Sequence, residues 1–164
     1  MINFKDYIED VKDFPKEGIL YRDIQPLLEN NLAFSFAINS MEELLDGTPR
    51  YWVGIESRGF LFASALAMKF GGGVKMIRKQ GKLPDRNHVL HSVEYDLEYG
   101  SATIEMKPGR GKVVIVDDVY ATGGTIEAAE QLCKMSGYDV IDKLCLVDIG
   151  IRKDHDVKCL ITYE

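Results

Sequence analysis

The stretch Val113-Val114-Ile115-Val116-Asp117-Asp118-Val119-Tyr120-Ala121-Thr122-Gly123-Gly124-Thr125 constrains this chain more than any other. Four β-branched residues in a row suit a strand buried on both faces, as central strands of parallel sheets are. Two adjacent carboxylates end the run, and a turn of small and hydroxyl residues follows. Thr125 to Met135 then reads as a helix that Gly137 stops. A strand that passes into a helix through so short a turn belongs in an α/β fold. Right-handed crossovers there pack helices onto a mostly parallel sheet.

The same residues carry a chemical reading. The first turn of a helix has unpaired N–H groups and a partial positive charge, so it draws anions such as phosphate. Gly123 and Gly124 allow close approach and positive φ, and Thr122 and Thr125 add hydroxyl donors. Asp117 and Asp118 stand at the carboxyl end of the strand, where open α/β sheets bind ligands. Beside a phosphate, paired carboxylates make sense as acceptors for neutral sugar hydroxyls or as help in placing Mg²⁺. Helix capping would account for one polar residue, not for the whole arrangement. No Gly-Lys-Ser/Thr closes a Walker A loop, and no Gly-x-Gly-x-x-Gly is present here.

Elsewhere the pattern alternates between periods. Asn3 to Val11 has Phe4, Tyr7, Ile8 and Val11 at helical spacing, and an extended piece from Ile19 to Ile24 is closed by Pro26. Leu32 to Leu45 predicts a helix with Leu32, Phe36, Met41, Leu44 and Leu45 as its buried stripe. Tyr51 to Ile55 and Val74 to Ile77 predict strands, and Gly59 to Phe70 a helix apolar on most faces and well buried. Arg78 to Glu94 is polar, lacks periodicity and is long for a compact domain, as functional loops are. Tyr95 to Tyr99, Ala102 to Met106, Val140 to Val147 and Cys159 to Tyr163 complete the expected strands.

Composition narrows the function classes. The chain of 164 residues suits one domain, residues 1–164, and its net charge of −6 disfavours general binding to nucleic acid or anionic membrane. The longest mostly apolar run, Phe60 to Met68, is too short to span a bilayer, and the acidic N-terminus is unlike a signal peptide. The expected location is therefore cytoplasmic. Cys133, Cys145 and Cys159 have apolar neighbours and no Cys-x-x-Cys spacing, so they read as core residues. His88 and His91 lack an obvious third metal ligand, and His155 reads as a surface residue.

The segment around Asp117 resembles the phosphoribosyl-pyrophosphate motif of type I phosphoribosyltransferases. Four further blocks resemble the adenine-specific branch of that family, in the family's order. They are Asp13-Phe14-Pro15 with Gly18-Ile19-Leu20-Tyr21-Arg22-Asp23-Ile24, then Gly54-Ile55-Glu56-Ser57-Arg58-Gly59-Phe60, then Ile77-Arg78-Lys79-Gln80-Gly81-Lys82-Leu83-Pro84, and Leu97-Glu98-Tyr99-Gly100. Two stretches depart from the family pattern: Asp85 to Asp96 is a few residues longer and Ser101 to Lys112 a few shorter.

The resemblance implies a Rossmann-like α/β fold, with a mostly parallel central sheet flanked by helices, a mobile loop and a small hood. Residues 1–25 or so would contribute to that base-binding hood. It implies transfer of ribose 5-phosphate from phosphoribosyl pyrophosphate to adenine, giving AMP and pyrophosphate in purine salvage. Alternatives are a 6-oxopurine substrate (xanthine or guanine) or a regulator that binds phosphoribosyl pyrophosphate without catalysis. Ala121, Thr122, Gly123, Gly124 and Thr125 would hold the 5-phosphate. Glu56, Ser57, Arg58, Gly59, Arg78, Lys79 and Lys82 would hold pyrophosphate. Leu20, Tyr21, Arg22 and Tyr99 would meet the base. Asp117 and Asp118 would bind the ribose hydroxyls and, with substrate and water, place Mg²⁺, while Glu98 would handle a purine proton. The family also implies a homodimer, with no nucleic-acid or membrane partner.

Overall fold

A computed structural model describes residues 2–85, 90–97 and 100–164. Its backbone forms two units, Met1–Ser40 and Met41–Glu164.

In the first unit the helix expected over Asn3 to Val11 does not form. Phe4–Tyr7 makes a single 3-10 turn, and Glu9–Lys12 is strand β1. Strand β1 pairs antiparallel with β2 (Leu20–Asp23), Val11 opposite Tyr21. A helix of that length is marginal without packing support, so strand pairing wins over the helical spacing. The connection is tied at its neck: Gly18 N–H donates to Asp13 Oδ1 at 2.7 Å, and Phe14 N–H to the Ile19 carbonyl at 3.3 Å. Pro26 does not merely close the extended piece. It sits in the first turn of a short helix, α1 (Gln25–Glu29), where its missing N–H costs nothing. Helix α2 (Asn31–Glu42) forms where a helix is expected, but on another face. Ala33, Ala37, Ile38 and Met41 are buried, while Leu32 and Phe36 are 67% and 50% exposed and Leu44, just past the helix, is also exposed. The expected stripe follows side-chain size; the observed one follows small alanines that let the helix pack closely.

Among the described residues, the second unit holds nine elements. They are β3 (Tyr51–Ile55), α3 (Gly59–Phe70), β4 (Gly73–Lys79), β5 (His91–Leu97), β6 (Gly100–Met106), β7 (Gly111–Tyr120), α4 (Gly124–Met135), β8 (Tyr138–Asp148) and β9 (Lys158–Thr162). The strands form one seven-stranded sheet in the order β5-β6-β4-β3-β7-β8-β9. From β4 to β9 every neighbouring pair is parallel; β6 runs antiparallel to β4, and β5 to β6. This is the mostly parallel α/β sheet expected.

Val113, Val114, Ile115 and Val116 are all fully buried in β7, between β3 and β8. The strand runs on past them to Tyr120, with Asp117 opposite Cys145 and Tyr120 opposite Asp148 on β8. The acidic pair is therefore held by the sheet ladder instead of following its end. Helix α3 is not buried all round: it buries Gly59, Phe62, Ala63 and Leu66, but Leu61 and Met68 are exposed. Cys133 and Cys145 are buried and Cys159 partly so, all three as free thiols, and Cys133 Sγ lies 3.8 Å from Met106 Sδ. His155 is not a surface residue. Its side chain is 13% exposed, its Nε2 is 3.3 Å from Asp148 Oδ2, and its ring lies 4.2 Å from that of Tyr120.

Candidate active site

Strands β3 and β7 are parallel neighbours, so both deliver their following turns to the same edge of the sheet. Each turn leads into a helix whose first residues have no side-chain cap: α3 with Arg58 at its N-cap, and α4 with Gly123 there. Without a side-chain cap, each N-terminus offers an anion the positive end of its helix dipole, although in α3 the Phe60 and Leu61 N–H groups already donate to the Ser57 and Arg58 carbonyls at 3.2 and 3.1 Å. Gly123 has φ 93°, a left-handed conformation that favours glycine, and helix α4 starts with Glu127 N–H donating to the Gly123 carbonyl at 2.9 Å. Residues 119–126 line a small cleft of about 60 Å³ around this turn.

Beside it lies a cavity of about 830 Å³. Glu56, Ser57 and Arg58 enter it from the turn after β3, Lys79 and Gln80 from the end of β4, and Asp117, Asp118 and Val119 from β7. Thr125 comes from α4. Tyr95, Leu97, Ser101, Ala102 and Thr103, from β5 and β6, form the remaining wall. Gly59 lets α3 start against β7: a Cβ there would sit 2.7 Å from the Val116 carbonyl oxygen and 3.1 Å from Asp117 Oδ1.

The acidic pair is electrostatically loaded. Asp118 N–H donates to Asp117 Oδ1 at 2.9 Å. Burial pushes the Asp117 carboxyl well above its ordinary range, and the neighbouring Asp118 charge pushes the same way. Burial also raises Asp118, although the Arg58 guanidinium opposes it, with Nε 2.7 Å from Asp118 Oδ2. That oxygen is buried and receives no aligned hydrogen bond. Two carboxylates and one guanidinium leave the pair short of positive charge, so a cation or a set of hydroxyl donors would be favoured there.

Glu56 plays a different part. Its Oε2 accepts the Lys79 N–H at 2.8 Å and the Arg78 Nε at 3.3 Å. Partial burial works the other way, yet these two partners hold its carboxyl below the usual range. Arg78 also donates from Nη1 to the Lys82 carbonyl at 3.3 Å, which folds the turn after β4 back on itself. Gln80 N–H to Thr103 and Gly81 N–H to Glu105 Oε2 fasten that turn to β6.

Glu56, Ser57, Arg58, Lys79, Asp117, Asp118 and Thr125 thus come together in one cavity from segments up to 69 residues apart, from 56 to 125. Ala121, Thr122, Gly123, Gly124 and Thr125 line the adjoining cleft. Leu20, Tyr21 and Arg22 lie on β2 in the first unit, where Leu20 is exposed and Arg22 pairs with Asp10. Glu98 and Tyr99 lie outside the described residues, as does His88. The sequence reading gives the wall residues Tyr95, Leu97, Ser101 and Thr103 no role at the site, although Leu97 opens the block Leu97-Glu98-Tyr99-Gly100. On β5 the signal is the period of two that puts Tyr95 and Leu97 on the cavity face, whereas β6 contributes the consecutive Ser101, Ala102 and Thr103.

The phosphoribosyl transferase domain profile matches residues 24–164. An adenine phosphoribosyltransferase of Bdellovibrio bacteriovorus is 49% identical over 168 residues, covering 99% of this chain and all of that one. The chain belongs to the adenine phosphoribosyltransferases. Among solved structures of this family, that from Thermoanaerobacter pseudethanolicus is 37% identical with a TM-score of 0.87, covering 98% of both chains. The adenine phosphoribosyltransferase of Giardia lamblia, solved in complex with 9-deazaadenine, gives a TM-score of 0.87 at 28% identity, covering 100% of this chain and 99% of that one. Among the described residues of this family member, no helix is long and apolar enough to cross a membrane.

Proposed function

We propose that the chain transfers ribose 5-phosphate from phosphoribosyl pyrophosphate to adenine, giving AMP and pyrophosphate, as a purine-salvage enzyme. A ring nitrogen of adenine forms a bond to C1 of the ribose as the C1–oxygen bond to pyrophosphate breaks. The nitrogen's proton leaves, and the electron pair of the broken bond stays on pyrophosphate. The observation that carries this reading is the pair of helix N-termini without side-chain caps after adjacent strands, with the acidic pair lining the same cavity as Ser57, Arg58 and Thr125. This combination of groups suits a ligand that carries two anionic groups and a neutral hydroxylated ring.

Residues 121–125 hold the 5-phosphate with main-chain N–H groups and threonine hydroxyls. Ser57, Arg58 and Gly59 hold the leaving pyrophosphate, joined by Arg78, Lys79 and Lys82. Glu56 orders that side by fixing Lys79 and Arg78. Asp117 and Asp118 accept hydrogen bonds from the ribose hydroxyls, and their charge favours the cationic sugar that develops as the C1–oxygen bond lengthens. Leu20, Tyr21, Arg22 and Tyr99 take the base, and Glu98 handles its proton.

Mg²⁺ fits this donor set. The buried Asp118 Oδ2 lacks an aligned donor, and among the described residues no three His, Cys, Asp or Glu gather into a full metal cage. One or two carboxylates completed by substrate and water oxygens is how Mg²⁺ is usually held. When bound, it would offset the negative charge of the leaving pyrophosphate.

We also infer a homodimer in the cytoplasm. Leu61 and Met68 on α3 and Val74 and Met76 on β4 are exposed large apolar residues, a surface that a second copy would cover. Free thiols suit a reducing compartment. Product analysis with phosphoribosyl pyrophosphate, Mg²⁺ and each of adenine, guanine, hypoxanthine and xanthine tests the reaction. AMP formed from adenine, at rates well above the oxopurines, is expected. Equal or faster turnover of an oxopurine overturns the substrate, and pyrophosphate release that no base accelerates overturns the transferase itself.

A further inference from the structure

The turn that carries Gly123 is backed by a cluster from the loop between β8 and β9. A Cβ on Gly123 would lie 2.8 Å from the Tyr120 hydroxyl and 2.9 Å from Arg152 Nη1. The two side chains therefore occupy the space behind the turn and hold its left-handed form. Tyr120 is buried, and its ring rests on His155, which Asp148 engages in turn. Asp148 Oδ1 accepts the Gly150 N–H at 2.8 Å, and Ile149 N–H donates to the Tyr120 carbonyl at 3.1 Å. This loop is thereby registered on the end of β7.

Arg152 also donates from Nε to the Asp154 carbonyl at 3.2 Å and forms an ion pair through Nη1 with Glu127, in the first turn of α4. Glu127 favours the helix dipole, but it is also a carboxylate four residues from Gly123, at the helix end proposed to receive a dianion. Uncompensated, it would repel that dianion. Both side chains are about half exposed, 44% and 60%, so as a strut the pair contributes little to stability. Its geometry has a clearer purpose in charge.

We propose that Arg152 is a positioning residue of the 5-phosphate site, bracing the Gly123 turn and cancelling the charge of Glu127 so that the helix N-terminus stays attractive to a dianion. This rests on residues 121–125 being the 5-phosphate cradle. Steady-state kinetics should then show that Arg152→Ala raises KM for phosphoribosyl pyrophosphate about tenfold, with kcat changed less than about twofold and KM for adenine unchanged. Arg152→Lys, which keeps the charge, recovers most of the loss. Glu127→Gln breaks the same ion pair but lowers that KM or leaves it as it is, and Arg152→Ala combined with Glu127→Gln returns it toward the parent value. A merely structural pair predicts instead that Arg152→Ala and Glu127→Gln raise KM alike, and that result overturns the proposal. An unchanged KM in Arg152→Ala overturns it too. Thr125→Ala, measured alongside, separates the two levels. If it raises KM while Arg152→Ala does not, the cradle stands and only the role of Arg152 falls. If neither raises it, the cradle assignment falls as well.

Discussion

Replacing Gly59 with alanine is the smallest change that reaches the acidic pair without altering either carboxylate. The added Cβ would lie 2.7 Å from the Val116 carbonyl oxygen, where ordinary contact begins at 3.4 Å, so the first turn of α3 must retreat by about 0.7 Å (3.4 − 2.7). The strand cannot yield in its place, because Val116 is fully buried and paired with Gly54 on one side and Leu144 on the other. The helix therefore moves and takes Arg58 with it, opening the 2.7 Å contact to Asp118. Overpacking of this kind costs about 1–3 kcal/mol. Alanine's better helix propensity offsets about 1 kcal/mol of that. The net loss of roughly 0–2 kcal/mol lowers Tm by only about 0–8 °C in a chain of this size. Activity is the sharper readout, since a displacement approaching 1 Å in a positioned site costs up to about 100-fold. Thermal melts and kcat/KM with saturating Mg²⁺ should show a modest fall in the first and a fall of about 30- to 100-fold in the second. A variant with kcat/KM within twofold of the parent would refute the idea that Gly59 sets the spacing of α3 from the acidic pair.

Two other substitutions probe charge. Burial raises Asp117 above the ordinary carboxylate value of 3.8, so its contribution to stability is complete below pH 3.8 and is lost as pH climbs through the raised value. Asparagine cannot ionise, so ligand-free Asp117→Asn should melt above the parent at pH 8, with the gap closing toward pH 4, while turnover falls about 100-fold or more. A gap that widens on acidification contradicts the assignment. Lys143 on β8 reaches Glu130 on α4 at 2.8 Å and Asp156 at 2.7 Å. Lys143→Met should cost about 1–2 kcal/mol, discounted for the exposure of Asp156, and an unchanged urea midpoint would show that these pairs add nothing.

The core of the fold was legible because its signals are local. Val113 to Val116 could hardly be anything but a buried strand, and Gly59 to Phe70 is a run of apolar and small residues, broken only by Lys69, long enough for a helix. The chain's first forty residues were read less well. There, β1 depends on partners 8 to 14 residues away (Lys12 with Leu20, Glu9 with Asp23), and α2 chooses its face by the fit of Ala33 and Ala37, which composition does not reveal. At the site, the motif residues were legible because glycines, hydroxyls and carboxylates crowd into short runs. The wall from β5 and β6 was not, since Tyr95, Leu97 and Thr103 gain a role only from the sheet order that places β6, with β5 outside it, next to β4. His155 was misread for the same reason: its neighbours Tyr120 and Asp148 are distant in sequence and close only across β7 and β8.

The sulfur atoms packed inside the sheet–helix layer bear on how this protein withstands oxidants and electrophiles. Burial pushes the Cys133 thiol up to about 12, so at neutral pH only about one molecule in 10⁵ holds the reactive thiolate there. Cys145 is buried as well, and its proton is held by Cys159 and by enclosure. Alkylating and peroxide reagents would reach these two only through local opening of the chain. Their rate of modification therefore reports how often that layer breathes.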